Sequence, residues 1–116
     1  VKIASGEKIE YAVYNSEKIF VGLISLRDLK TPTPEFGLWI QPDYQGQGYG
    51  TQSIAWLIDW ARTHTEATSL IYDAASDNAA SDNAASVALA RRAGLIFQGE
   101  YDDSGVMYSR FEAPLD

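Results

Sequence analysis

The stretch "QPDYQGQGYGTQS", residues 41–53, sets three glycines at alternate positions, Gly46, Gly48 and Gly50, between a proline and an apolar run. Glycine loses more conformational freedom on folding than any other residue. A cluster of three therefore marks a backbone that turns tightly or that something approaches closely. A strand before the glycines and a helix after them would make an anion site. The first N–H groups of a helix lack intrahelical partners, the helix dipole favours negative charge there, and a bare backbone lets a phosphate reach them. Two common phosphate loops do not fit: no lysine follows the glycines as in G-x-x-x-x-G-K-[ST], and the spacing departs from the dinucleotide fingerprint G-x-G-x-x-G. The pattern that fits is Q-x-x-G-x-G, carried by Gln45, Gly48 and Gly50, with Pro42 three residues upstream.

The elements that must position this loop are legible around it. "EYAVYN" (10–15) and "KIFVGLISL" (18–26) are rich in β-branched and aromatic residues and predict an antiparallel hairpin across Asn15, Ser16 and Glu17. Pro32 and Pro34 set a loop, and "EFGLWI" (35–40) reads as a short, largely buried strand stopped by Pro42. After the glycines, Ile54, Leu57, Ile58 and Ala61 recur at helical spacing, predicting an amphipathic helix from about Gly48 to Arg62, with Trp56 and Trp60 read as core. "SLIYDA" (69–74) is a further strand. A second helix carries Val87, Leu89 and Ala90 and ends at "RRAGL", with Gly94 as its cap and Arg91 and Arg92 in the last turn. "LIFQGEY" (95–101) and "GVMYSRFE" (105–112) close the chain as a hairpin. The order β-β-β-α-β-α-β-β implies an α+β fold, a mixed sheet with helices packed on it.

Residues 74–86 read AASDN AASDN AAS, a five-residue unit given twice and begun again. Ser, Asp and Asn are all good helix N-caps, so the second helix could start near Ser76–Asn78 or near Ser81–Asn83. Packing of Val87 and Leu89 fixes the helix face, and the surplus residues are expected in the loop.

At 116 residues the chain is expected to form one domain over 1–116, able to bury a core without metal or disulfide support. It has no cysteine, hence no disulfide, thiol nucleophile or cysteine-held zinc, and no metal is expected. The net charge is −7 with scattered basic residues, which argues against a nucleic-acid partner and is compatible with a cationic substrate. No apolar run approaches the ~18 residues of a membrane span, so no membrane partner is expected and cytoplasmic is the default location.

The Q-x-x-G-x-G loop resembles the acetyl-CoA motif of the GCN5-related N-acetyltransferases, the GNAT superfamily. The likeness extends from "EFGLWIQPDYQGQGYGTQSIAWLIDWA" (35–61) to "DNAASVALARRAGL" (82–95), which is similar to the family's N-x-x-S/A…G-F/L segment. "GYGTQS" and "NAAS…RRAGL" are closest to the branch that acetylates ribosomal-protein N-termini. The resemblance implies a GNAT-like fold with acetyl-CoA as co-substrate. Backbone amides of Gln45, Gly46, Gln47, Gly48, Tyr49, Gly50 and Thr51 would hold the CoA diphosphate. The strand end at Leu38, Trp39 and Ile40 would splay and pair with the pantetheine amides. An asparagine would touch the pantetheine arm; counting back from Gly94 selects Asn83, while counting forward from "LIYDA" selects Asn78.

Acetyl transfer to an amine needs a proton acceptor, a donor for the tetrahedral oxyanion and an acid for the departing thiolate. On the resemblance, Glu35 stands where family members commonly carry a catalytic glutamate, and its alternative is a solvated residue after a proline-rich loop. Backbone N–H groups at Leu38 to Ile40 would serve the oxyanion. The family's frequent tyrosine acid is replaced by Ala90, which leaves the acid unassigned, with Tyr72, Tyr101 and Tyr108 as geometric substitutes. His64, in a polar loop, is expected to be exposed. Family members usually begin with a strand and two helices that wall the acceptor site, and this chain enters after them. It is therefore expected to be N-terminally incomplete or to borrow the wall as a homodimer. The acceptor would be a primary amine, on a protein N-terminus or a small molecule. A CoA-binding module without turnover, and an interaction domain that binds no CoA, are the competing expectations.

Overall fold

Alternation along the strands decides which face of the sheet is buried, and the register carries that face from strand to strand. The computed structural model describes residues 8–75 and 80–115. It contains β1 (Lys8–Tyr14), β2 (Phe20–Arg27), β3 (Glu35–Ile40), a 3-10 turn at Pro42–Tyr44, α1 (Tyr49–His64), β4 (Ser69–Ala75), α2 (Ala80–Arg92), β5 (Ile96–Asp103) and β6 (Val106–Pro114). The six strands form one sheet in the order β1-β2-β3-β4-β6-β5, antiparallel throughout except where β3 meets β4. Across one face Ile9 lies opposite Leu26 and Leu26 opposite Phe36, while Tyr72 lies opposite Phe111. Ile54, Leu57 and Ala61 of α1 join those residues in a single core. Burying Ile54 and Leu57 contributes about 1.5–3 kcal/mol each. The element order and the bounds of β3 agree with the sequence reading.

Turn chemistry fixes the hairpins. The Asn15 Oδ1 accepts from the N–H groups of Glu17 and Ile19 at 2.9 and 3.0 Å, which closes the β1–β2 turn. Ser104 and Gly105 both have positive φ, the two-residue turn whose twist matches the flanking strands of β5 and β6. β1 starts two residues before the expected Glu10.

Three expectations are corrected. Trp56 is not core: the residue is 44% exposed, and among the described residues its ring is met edge-on at 5.0 Å by Tyr11 of the edge strand β1. His64 is exposed but belongs to the last turn of α1 rather than a loop, stacked on Trp60 at 4.7 Å. α2 starts at Ala80, so residues 80–83 of the second repeat copy enter the helix instead of the loop. Lengthening an existing helix adds one hydrogen bond per residue without a new nucleus, which favours this outcome. The helix ends as expected: Gly94 has φ +80°, its N–H donates to the Arg91 carbonyl, and the Leu95 N–H donates to the Ala90 carbonyl.

Candidate active site

The sheet opens where β3 and β4 run parallel. Their register holds a single pair, Glu35 with Ile71, and beyond it the strands part. The Ile71 N–H donates to the Pro34 carbonyl at 2.9 Å, whereas the Gln41 N–H donates to Val21 on the β2 side at 2.8 Å. Backbone groups alternate sides along a strand. Leu38 and Ile40 therefore turn their backbone toward the gap, and Trp39 turns its own to β2. The Ile40 carbonyl accepts from Gln45 Nε2 at 3.0 Å, which ties the glycine loop to the strand end.

The loop then delivers a helix N-terminus to the same gap. Gly46 and Gly48 have φ of +77° and +93°, and a Cβ at Gly46 would meet nothing within 4 Å. These two are glycine for backbone conformation. Gly50 is glycine for another reason. A Cβ there would stand 3.0 Å from Leu89 Cδ1 and 3.4 Å from Leu38, so its bareness lets α1 and α2 approach. Gly48 caps α1 without a side-chain hydrogen bond, and its carbonyl accepts from the Gln52 N–H. The N–H groups of Tyr49, Gly50 and Thr51 precede that first intrahelical bond and are thus left for a ligand. Gln45, Gln47 and Gly48 are exposed at the rim, while Tyr49 and Thr51 are half-buried.

Between β3, the loop and α2 lies a cleft of about 1310 Å³, lined among others by Leu38, Trp39, Ile40, Gly48, Thr51, Tyr72, Ser86 and Arg92. It gathers most of the residues expected around a cofactor. Asn83 falls within α2, but its side chain, and all of Asn78, lie outside the described residues. Tyr72, one of the three tyrosines considered as a substitute acid, lines the cleft, and with it stand Ser86 and Arg92, which the sequence does not single out as cleft residues. Ser86 stands three residues after Asn83 in "NAAS", and Arg92 had read only as a helix-end charge. The Tyr72 ring is buried and stacked on Phe36 at 4.8 Å. Burial pushes its phenol pKa up, against a hydrogen bond from Ser86 that works the other way. Tyr72 thus stays protonated through neutral pH and can act as a donor.

The face of the sheet away from the helices carries two clamped carboxylates. Arg27 Nη2 donates to Glu35 Oε2 at 2.9 Å, which also raises the Arg27 pKa. Asp73, on β4, accepts from Arg110 Nε and Nη2 at 2.9 and 2.8 Å and from the Tyr101 hydroxyl. Burial of Asp73 opposes its ionisation, but the bonds from Arg110 and Tyr101 outweigh it and hold the carboxyl below its usual range. The same bond to Asp73 pushes the Tyr101 phenol up to about 12. Tyr101 stacks on Tyr108 at 5.4 Å, and neither lines the cleft. Of the three tyrosines considered, Tyr72 alone does.

A second hollow of about 500 Å³ lies between β1 and α1, lined by Tyr11, Tyr14, Tyr49, Gln52, Trp56 and neighbours, with no acidic or basic side chain among them. Among the described residues no group of three or more His, Cys, Asp or Glu side chains could hold a metal, and no helix is long and apolar enough to cross a membrane.

A family model described as an acetyltransferase (GNAT) domain matches residues 2–96. No curated protein matches the chain. Among solved structures, a spermidine N-acetyltransferase from Vibrio cholerae in complex with CoA and spermine is 19% identical with a TM-score of 0.79, covering 97% of this chain and 69% of that one. A dodecameric spermidine N-acetyltransferase from the same organism is 19% identical with a TM-score of 0.77, covering 96% and 67%. A structure described as a probable acetyltransferase is 25% identical with a TM-score of 0.77, covering 93% and 62%. The two at 19% establish a shared fold.

Proposed function

The chain belongs to the GNAT acetyltransferase family, and from that premise we propose that it moves an acetyl group from acetyl-CoA to a primary amine by direct attack in a ternary complex. The observation that carries this reading is the single-pair meeting of β3 and β4 beside an N-terminus of α1 without a side-chain cap. A strand whose amides face a gap offers hydrogen bonds to an amide-bearing chain, as in strand addition. Two αL glycines and an open helix N-terminus suit a diphosphate. The CoA and spermine of one structural neighbour support the same division into thioester and amine sites.

Acetyl-CoA supplies an activated thioester. Gln45 to Thr51 hold its diphosphate, with Arg92 adding a positive charge at the mouth, and Leu38 and Ile40 bind the pantetheine amides. Asn83 is the proposed side-chain contact to that arm. A backbone N–H at Leu38 or Ile40 faces the oxyanion, where a preorganised donor stabilises developing charge. Glu35, half-buried and held by Arg27, is the proposed proton acceptor on the amine side. Tyr72, bonded to Ser86, is the proposed donor to the thiolate, the role left vacant by Ala90, which is fully buried in the core.

The assignment to the branch acting on ribosomal-protein N-termini rests on residues 48–53 and 83–95 and belongs to this proposal. So does assembly of copies, for which the dodecamer of one neighbour is the support. The test is thiol release from acetyl-CoA by the purified chain with a free-N-terminal peptide or spermidine, alongside calorimetric titration with acetyl-CoA. Binding and amine-dependent release are expected. Binding without release for any amine would favour a CoA module, and no binding would overturn the reading.

A further inference from the structure

Resting on that reading, we infer that the gap between β3 and β4 is held open from the side that touches no ligand. Gly22 and Gln41 are positioning residues that seat the end of β3 on β2. Gly22 does not have a positive φ, so backbone conformation does not call for glycine there. Space does. A Cβ at Gly22 would overlap the Trp39 carbonyl oxygen and stand 3.1 Å from Ile40 Cα and 2.8 Å from Ile40 Cδ1. The carbonyl and the Cα are backbone, which cannot swing aside as the end of a side chain can. A glycine inside a strand weakens it, and one reason to keep it is the close approach of another backbone. The segment that approaches here is the one whose Leu38 and Ile40 groups turn to the gap.

A bulge accounts for the approach. Val13 lies opposite Gly22 and Tyr14 opposite Phe20, so β2 carries one residue more than β1, at Val21. A bulge bends its strand and increases the local twist, and β3 folds over β2 at the neighbouring Gly22. Gln41 completes the seat. Its N–H donates to the Val21 carbonyl at 2.8 Å, and its Nε2 donates to the Phe20 carbonyl at 2.6 Å. β2 is paired along both edges, whereas among the described residues β3 past Glu35 is paired with β2 alone. A methyl group on residue 22 is therefore accommodated by β3 moving into the gap, by roughly 1 Å to restore ordinary contact. The amides of Leu38 and Ile40 move with it, and the space for the pantetheine arm narrows.

The test sets Gly22→Ala and Gln41→Met beside the parent protein. Each is followed by thermal melts, by calorimetric titration with acetyl-CoA well below its melting temperature, and by thiol release with the amine that the parent acetylates. Gly22→Ala should weaken acetyl-CoA binding about tenfold, the worth of two displaced amide hydrogen bonds. Its kcat should fall further, by about 100-fold, because a displaced oxyanion donor costs more than a displaced binding contact. Gln41→Met should weaken binding about threefold, the scale of one hydrogen bond. Amide exchange at saturating acetyl-CoA should divide the site: the first turn of α1 stays as protected as in the parent, while Leu38 and Ile40 lose protection. A role in folding alone would lower the melting temperature and move none of these. Gly22→Ala that binds acetyl-CoA as the parent does and protects Leu38 and Ile40 equally would overturn the inference. If Gly22→Ala does not fold, Gln41→Met decides, and unchanged affinity and protection there would overturn it. Failure of the parent itself to bind acetyl-CoA would overturn the underlying function and this inference with it, whereas binding by the parent with unaltered variants sinks the inference alone.

Discussion

Thr51→Glu separates the folding role of the first turn of α1 from its ligand role. Thr51 is the third helical residue after Gly48 and lines the cleft half-buried. A carboxylate there complements the helix dipole and should leave stability unchanged or raise it by about 0.3–1 kcal/mol. Against a bound diphosphate the same carboxylate is repelled. At ~5 Å from each of two phosphate charges and an effective dielectric of ~40, each pair costs about 1.7 kcal/mol, so about 3 kcal/mol in all. That weakens acetyl-CoA binding by more than about a hundredfold. The assay is calorimetric titration of both proteins at low and high salt, with thermal melts alongside, and the penalty should shrink as salt screens it. A variant that melts no lower than the parent and binds acetyl-CoA equally well would refute a diphosphate on the first turn of α1.

Tyr72→Phe should leave acetyl-CoA affinity within about twofold and slow turnover by about 100-fold or more, the scale of a lost general acid, as read by steady-state thiol release. Arg110→Met strands the buried Asp73 carboxylate and should cost about 2–4 kcal/mol near pH 7, lowering Tm by about 10 °C. The folded pKa of Asp73 lies below its unfolded value, so the stabilisation is full above the ordinary aspartate range and is lost as pH falls through the folded value. The gap between parent and Arg110→Met in urea melts should therefore narrow as pH drops below about 4.

What the sequence could disclose follows from how local each signal is. The strand at 35–40, the glycine loop, α1 and the Gly94 cap are written in consecutive residues, as proline stops, helical periodicity and cap chemistry. The reason for Gly50 was not legible, because it depends on Leu89, 39 residues away on α2. The same holds for the choice of Tyr72 among the three candidate tyrosines, which depends on the parting of β3 and β4 that opens a cleft beside it, and for Asp73, whose partners Tyr101 and Arg110 come from β5 and β6. Trp56 misled because helical spacing says which residues share a face, not whether another element covers it. The start of α2 was ambiguous for a local reason: two identical copies of AASDN offer two identical sets of caps.

On the proposed function, the amides of Leu38 and Ile40 bind the pantetheine arm in the gap between β3 and β4. Residue-resolved amide hydrogen exchange with and without acetyl-CoA tests it most directly. Leu38, Ile40 and the first turn of α1 are expected to become protected on binding, while Trp39, already turned to β2, changes little. Protection confined to the hollow around Tyr11 and Trp56, or none at Leu38 and Ile40 when acetyl-CoA is bound, would contradict it.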